Sequence, residues 1–328
     1  MPDIGPVTFP ADGSVLDGVH FTVGDEEHVA LFGPNGAGKS TLLRGAAGTL
    51  AGRRRAPGVA YLPQQVHLFK GTGRTNLALG GTDLPVAVEL SERLGVGGVL
   101  DDDVRTMSVG QRQRLAIARV LASDEPVVLL DEPLAPIDTT DRRDVIAAIR
   151  SRSHGRALVT VTHSVTDAAV LADTLVILDR GRIVQHGPVA HVLSHPESVR
   201  VADVIGVTNV LEGTVIGHEG GLTTVDVDGT RLLVPGELPP GERALVRVGA
   251  ESIVMYGSPP SGGSHRTVVA GRVAGIEAVG SLIEVHMHDP VRLTALVTEG
   301  SLEASELSEG RPVWFGIKAA AISVIWSG

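Results

Sequence analysis

The rhythm of apolar positions changes near residue 200. Before it, short apolar runs at 28–32, 127–130 and 158–161 are each followed by a stretch of helical spacing, at 39–47, 141–149 and 165–172. Runs this short and this uniformly apolar fit strands buried on both faces. Their alternation with helices predicts an α/β unit built on a mostly parallel sheet. Beyond Asn209 helical spacing nearly vanishes. Short β-type runs at 222–227, 244–248, 268–273 and 313–317 are separated by Gly, Pro and acidic turns. That is the pattern of small antiparallel barrels of the OB type. The Gly/Ser/Pro stretch at 257–264 reads as a linker between two of them. The expected organisation is an α/β domain over 1–200 and two all-β regions over 201–260 and 261–328.

Composition narrows the picture. A chain of 328 residues with 43% hydrophobic content has the length for more than one core. The formal charge of −10 argues against a protein that coats nucleic acid. No cysteine is present, which excludes disulfides and cysteine-based zinc sites and fits a reducing compartment. The first residues lack the basic flank and apolar core of a signal peptide, and no 18 apolar residues run together, so a soluble protein is expected. Lysine occurs only at Lys39, Lys70 and Lys318, which makes each one informative.

The first chemistry lies between the 28–32 strand and the helix behind it. Gly33, Pro34, Asn35, Gly36, Ala37, Gly38, Lys39 and Ser40 match the phosphate-binding loop pattern, with Thr41 next in the helix. Glycines let backbone N–H groups turn toward one phosphate chain. Lys39 brings positive charge to the terminal phosphates, the Ser40 hydroxyl can ligate Mg²⁺, and the helix N-terminus faces the same anions. The apolar run at 127–130 ends in two carboxylates, Asp131 and Glu132. Asp131 is placed to hold Mg²⁺ through water, and Glu132 to polarise an attacking water. ATP and Mg²⁺ are the cofactors these motifs call for.

Further elements follow in a telling order. Met107-Ser-Val-Gly-Gln-Arg-Gln-Arg-Leu-Ala precedes the two carboxylates and resembles the signature of ABC transporter ATPases. Pro133-Leu-Ala-Pro-Ile-Asp138 is similar to the family's D-loop. Val161-Thr-His163 resembles its switch histidine, and Tyr61-Leu-Pro-Gln64 its Q-loop, with Gln65 a rival to Gln64. Phe9 stands where the family stacks an aromatic ring on adenine. The resemblance implies catalytic roles for Glu132, His163 and Gln64, and Mg²⁺ ligation by Ser40, Gln64 and Asp131. It also implies a head-to-tail homodimer in which Ser108, Gly110 and Gln111 of one subunit, with Asp138, complete the nucleotide site of the other. Membrane permease subunits would be driven from the cytoplasmic face of the membrane, with an extracytoplasmic solute-binding protein as an indirect partner. Taken alone, Asp138 also reads as the cap of the following helix.

Three departures stand out. Val109 replaces the glycine usual at the second signature position, and a β-branched residue resists positive φ. The spans from Lys39 to Gln64 and from Asn76 to Ser108 are short. The arginines at 53–55 fit a solvated turn or a contact with lipid or permease.

The C-terminal third resembles the β-barrel appendages (TOBE and Mop domains) of importer ATPases. Asn209-Val-Leu-Glu-Gly-Thr-Val215 opens the first, and Ser264-His-Arg-Thr with later motifs resembles the molybdate/tungstate-binding Mop barrel. That resemblance makes Ser264, Arg266, Thr298, Ser301 and Lys318 candidates for an oxyanion site, while Ala320 removes a hydroxyl the pattern often has. Glu284, His286 and His288 alternate as one strand face would, and read as a solvated face in preference to a metal site. The function implied is the ATPase of an importer for molybdate or tungstate. Another solute (sulfate, iron, polyamine or sugar) and an oxyanion-binding sensor or storage protein are the alternatives. Intact Glu132 and His163 argue against the last.

Overall fold

The computed structural model describes residues 16, 19, 21–49, 57–152, 155–262 and 264–327. The chain forms two compact units, Met1–Val192 and Leu193–Gly328. Phe9 and the arginines at 53–55 lie outside the described residues.

The first unit contains β1 (His28–Phe32), α1 (Lys39–Ala46), β2 (Val59–Leu62), α2 (Gly73–Leu77), α3 (Leu84–Arg93), α4 (Val109–Leu121) and β3 (Val127–Asp131). It continues with α5 (Thr139–Ser151), β4 (Ala157–Val161), α6 (Val165–Leu171), β5 (Thr174–Asp179), β6 (Arg182–Pro188) and α7 (Val189–Ser194). Among the described residues these strands form a six-stranded sheet in the order β2-β3-β4-β1-β5-β6. It is parallel except for β6, which runs antiparallel to β5. Every residue of β1, β3 and β4 is buried, as unalternating apolar runs require. One core lies beneath α1, and another joins β2 and β3 to α2, α3 and α4. The carboxyl ends of β1, β3 and β4 therefore come together at one edge of the sheet, where ligands of open α/β sheets bind.

One buried cation supports this architecture. Arg156, 8% exposed, donates to the carbonyls of Leu121, Ser123 and Arg152 at 2.7 to 3.1 Å, and so satisfies the ends of α4 and α5. Burial lowers its pKa to about 10. We expect Arg156→Met to cost about 2–4 kcal/mol, because several buried carbonyls lose their donor at once. Urea unfolding followed by far-UV circular dichroism checks this; a change within about 0.5 kcal/mol, the range of ordinary surface substitutions, would show that other groups or water replace the guanidinium.

The second unit contains α8 (Val199–Val204), β7 (Val210–Glu219), β8 (Leu222–Val227), β9 (Thr230–Pro235), β10 (Arg243–Val248), β11 (Ile253–Tyr256) and β12 (Thr267–Val279). After these come β13 (Leu282–Met287), β14 (Leu293–Val297), α9 (Glu299–Ala304), β15 (Pro312–Ile317) and β16 (Ile322–Ser327). Two five-stranded antiparallel sheets result among the described residues, β16-β10-β7-β8-β9 and β11-β15-β12-β13-β14. Each curls until its edge strands approach one another, β16 toward β9 and β11 toward β14. The chain interlaces the two: β11 leaves the first region to pair with β15, and β16 returns from the second to pair with β10. A single buried cluster, centred on residues such as Val246, Val285 and Phe315, spans both sheets. Among the described residues no helix is long and apolar enough to cross a membrane.

Candidate functional site

The loop between β1 and α1 is shaped by backbone alone. Gly33 has φ 152°, and a Cβ there would lie 2.0 Å from the Leu178 carbonyl oxygen, so no side chain is tolerated. Gly38 enters α1 in the left-handed region at φ 104° and offers no side-chain cap. The first-turn amides of α1 are thus left without a capping side chain, and the helix dipole adds positive potential at the same place. Lys39 is buried and donates from Nζ to the carbonyls of Gly33 at 2.7 Å and Pro34 at 3.0 Å. Burial lowers its pKa, while Glu132 and Asp131 pull it back up.

β3 delivers the carboxylates. Asp131 is 1% exposed and accepts from Ser40 Oγ at 3.1 Å and from the Tyr61 hydroxyl at 3.4 Å. Burial raises its pKa and Glu132 adds to the rise, whereas the Ser40 hydrogen bond lowers it. Glu132 turns away from the strand with φ 49°, a left-handed backbone that a non-glycine residue adopts only when its surroundings impose it. Its N–H donates to the Val161 carbonyl at 3.0 Å, which fixes the turn. Its carboxylate accepts from Gln64 Nε2 at 3.2 Å and lies 3.6 Å from His163 Nδ1. Gln64, and not Gln65, makes this contact. Glu132, Gln64 and His163 are therefore gathered around one carboxylate oxygen, beside the Ser40–Asp131 pair.

The oxygens present suit Mg²⁺. A hydroxyl and a carboxylate in mutual contact, one of them buried, form a hard-donor pair of the kind that holds this ion together with substrate phosphates. Gln64 Oε1 has no protein partner among the described residues and can join them.

The signature segment is laid out differently from the concern its valine raises. Ser108 is the N-cap of α4: its hydroxyl accepts from Gln111 N at 3.1 Å, and its own N–H donates to Gln111 Oε1 at 2.8 Å. Val109 is the first helical residue, 62% exposed, and is not among the residues with positive φ. Its branched side chain meets no backbone conflict there. We expect Val109→Gly to leave hydrolysis within about twofold and to cost less than about 1 kcal/mol of stability, the ordinary helix-propensity difference. Steady-state turnover checks it; a several-fold gain would show that the valine restrains the cycle.

Asp138 occupies the N-cap position of α5, yet its side chain makes no capping hydrogen bond. Only its carbonyl is used, accepting from Asp141 N and Arg142 N at 3.1 Å each. Gly110 lies in α4 near the Pro136 carbonyl, which a Cβ would meet at 3.5 Å. Among the described residues, no hydrogen bond or ion pair joins Ser108, Gly110, Gln111 or Asp138 to the phosphate loop of the same chain.

Sequence reasoning missed the Tyr61 hydroxyl, whose pKa is pushed up by burial and by Asp131. The tyrosine was visible beside Gln64, but its reach to Asp131 depends on the pairing of β2 with β3. A cleft of about 650 Å³ beside Tyr61 is lined by Phe69, Lys70, Asn76, Leu79 and Arg119. Asn76, 1% exposed, holds its rim by bonding both the N–H and the carbonyl of Phe69 at 2.8 and 2.9 Å.

In the second unit the five oxyanion candidates fall into two groups. Thr298 caps α9: its hydroxyl accepts from Ser301 N at 3.3 Å and lies 2.9 Å from Ser301 Oγ. Arg266 and Lys318 flank the opposite end, where β12 begins and β15 ends, and Ser264 precedes them. β14 reaches β12 only through β13, which pairs with the other half of β12. His286 Nδ1 lies 3.0 Å from Thr294 Oγ1 and its Nε2 is 3.8 Å from Glu284, whereas His288 falls beyond β13. Among the described residues no group of three or more metal-ligating side chains forms.

A loop that offers phosphate only donors, set against a strand that offers only anionic oxygen, makes the first unit a P-loop nucleotide hydrolase. The ABC transporter family model matches residues 16–135, and the TOBE domain model matches 263–324, the segment whose motifs resembled the Mop barrel. The molybdate/tungstate import ATP-binding protein WtpC of Pyrococcus abyssi is 33% identical over 339 aligned positions, covering 94% of this chain and 95% of its own length. The molybdenum import ATP-binding protein ModC of Mycobacterium tuberculosis (strain H37Rv) is 32% identical over 93% of each chain. A solved bacterial Atm1-family ABC exporter with ATP bound superposes with a TM-score of 0.52 over 61% of this chain and 40% of its own, at 24% identity, a likeness of fold alone. The chain belongs to the ATP-binding subunits of ABC transporters, in the branch that includes these import proteins, and it is an ATPase coupled to transport.

Proposed function

We propose that the chain hydrolyses ATP to drive import of molybdate or tungstate through membrane permease subunits at the cytoplasmic face. The observation that carries the ATPase assignment is Glu132, held in a left-handed turn with Gln64 and His163 on its carboxylate and the phosphate loop next to it. In this reading Glu132 takes the proton of the attacking water, and His163 and Gln64 orient that carboxylate and report the nucleotide state. Gly33, Pro34, Asn35, Gly36, Ala37, Gly38 and Thr41 cradle the phosphates, and Lys39 leaves its two carbonyls for the substrate's anionic oxygens. Ser40, Asp131 and Gln64 would hold Mg²⁺, whose charge offsets that of the phosphates.

Homodimerisation is supported by what one chain leaves unused. The Asp138 carboxylate makes no cap, and among the described residues the signature turn with its exposed Val109 makes no hydrogen bond or ion pair with its own phosphate loop. A second copy facing head to tail would bring Ser108, Gly110 and Gln111 to the γ-phosphate. The cleft with exposed Phe69 and Leu79 supports a permease contact beside the Q-loop. For the solute, the support is that relatives named for molybdate or tungstate import align across both units.

Complementation tests this reading. Expressed with its permease and binding protein in a bacterium lacking its own molybdate importer, the chain should restore molybdoenzyme activity at trace molybdate, and Glu132→Gln should not. Restoration of sulfate uptake without molybdate uptake would assign a different solute.

A further inference from the structure

We propose that Gln113 is a positioning residue for Glu132, holding from α4 the turn that presents this carboxylate to the attacking water. The inference rests on the assignment of Glu132 as the base. Gln113 is 2% exposed, and the other buried residues of α4 are apolar. An amide in such a place is destabilising unless it is bonded. Its Nε2 donates to the Pro133 carbonyl at 3.1 Å, and no other group among the described residues donates to that oxygen.

Pro133 follows directly on the strained residue. Glu132 has φ 49°, a conformation kept only where surrounding contacts impose it. On one side its N–H is tied to the Val161 carbonyl at 3.0 Å. On the other side Pro133 has no N–H to donate, so the chain is held through its carbonyls. Ala135 N donates to that of Glu132 at 3.3 Å, and Gln113 to that of Pro133. The first bond is local to the turn; the second comes from a separate helix. Gly110 stands three residues before Gln113, on the same face of α4, and a Cβ there would meet the Pro136 carbonyl at 3.5 Å. That face therefore follows the loop over 133–136. The helix is itself anchored, since Arg114 pairs with Asp141 of α5 at 3.0 Å and donates to the Leu94 carbonyl at 2.9 Å.

Loss of the Gln113 bond frees the Pro133 peptide to rotate. Rotation there moves the Glu132 carboxylate relative to Gln64 Nε2, now at 3.2 Å, and His163 Nδ1, now at 3.6 Å. A misplaced base slows the chemistry and leaves nucleotide binding alone.

The test is a double-substitution cycle on the full chain, read as steady-state phosphate release and KM for ATP. Gln113→Met keeps the volume and removes the donor. It should slow turnover about 10- to 100-fold, with KM within about twofold of the parent. Added to Glu132→Gln it should slow turnover by less than about twofold more, because the group it positions is already gone. A second variant, Gln113→Glu, keeps a donor only while its buried carboxyl is protonated. Its turnover relative to the parent should fall about fivefold or more between roughly pH 6 and pH 9. Parental turnover in Gln113→Met overturns the proposal. So does loss of ATP affinity along with rate, full additivity with Glu132→Gln, or a pH-independent ratio for Gln113→Glu. Each of these leaves the base assignment standing, whereas parental turnover in Glu132→Gln alone would remove that assignment and this proposal with it.

Discussion

Glu132→Gln binds ATP as tightly as the parent chain and hydrolyses it about a thousandfold more slowly. The magnitude is that expected when a positioned general base is removed, roughly 10² to 10⁴ in rate. Binding should survive because the proposed phosphate contacts belong to the loop at Gly33–Ser40, which among the described residues has no hydrogen bond or ion pair with the Glu132 carboxylate. The fold should survive as well. Glutamine is isosteric, and its amide oxygen can still accept from Gln64 Nε2, which lies 3.2 Å from the carboxylate in the parent. The left-handed turn at residue 132 is fixed by the bond from its N–H to Val161, which the substitution leaves alone. Fluorescent nucleotide titration and steady-state phosphate release check the two halves separately. Turnover within twofold of the parent would remove Glu132 from its role; lost binding would mean the carboxylate shapes the cradle.

The second large effect is one of pH on stability. His28 opens β1, 3% exposed, with Nε2 2.7 Å from Thr160 Oγ1 and Nδ1 buried without a partner. Burial holds its pKa down from 6.5 to about 4; Asp173 pulls it up and Arg150 pushes it down. A histidine depressed in the fold stabilises the native state above its unfolded pKa. As pH falls through about 6.5 the unfolded chain gains a proton that the folded chain refuses, so stability declines until about pH 4 and then levels. The shift amounts to roughly 3 kcal/mol across that window. His28→Leu should remove this slope while losing some stability at neutral pH through the Thr160 contact. Both tryptophans, Trp314 and Trp326, lie in the second unit. Unfolding of the first is therefore best followed by far-UV circular dichroism, since most helices are there. Equal slopes in parent and variant between pH 4 and 6.5 would contradict the assignment.

What could be read in advance was what is local. The loop at 33–40, the buried strand before it and the carboxylates after 127–130 are continuous segments, and their chemistry is fixed by residue type and spacing. The helix over 139–151 begins two residues earlier than the apolar pattern predicts, because Asp138 sits at its N-cap and Thr139 and Thr140 face solvent. The strand expected over 268–273 runs on to Val279, past a bulge between Val273 and Gly275 that breaks its alternation. Long-range pairing was not legible. Nothing in 322–327 says that it returns to β10, and nothing in Gln113 says that it will reach the Pro133 carbonyl. Val109 shows the same limit at the site. The expected backbone strain rested on the glycine usual at that position, whereas the capping box at Ser108 and Gln111 starts α4 at Val109 and makes valine an ordinary first helical residue.

The most direct measurement of the central claim is ATP-driven uptake in proteoliposomes that hold this chain, its permease and its solute-binding protein. Labelled molybdate should accumulate only with hydrolysable ATP and Mg²⁺, be displaced by tungstate, and fail to accumulate with Glu132→Gln. Accumulation that is indifferent to ATP, or ATP-driven uptake of another solute to the exclusion of molybdate and tungstate, would contradict it.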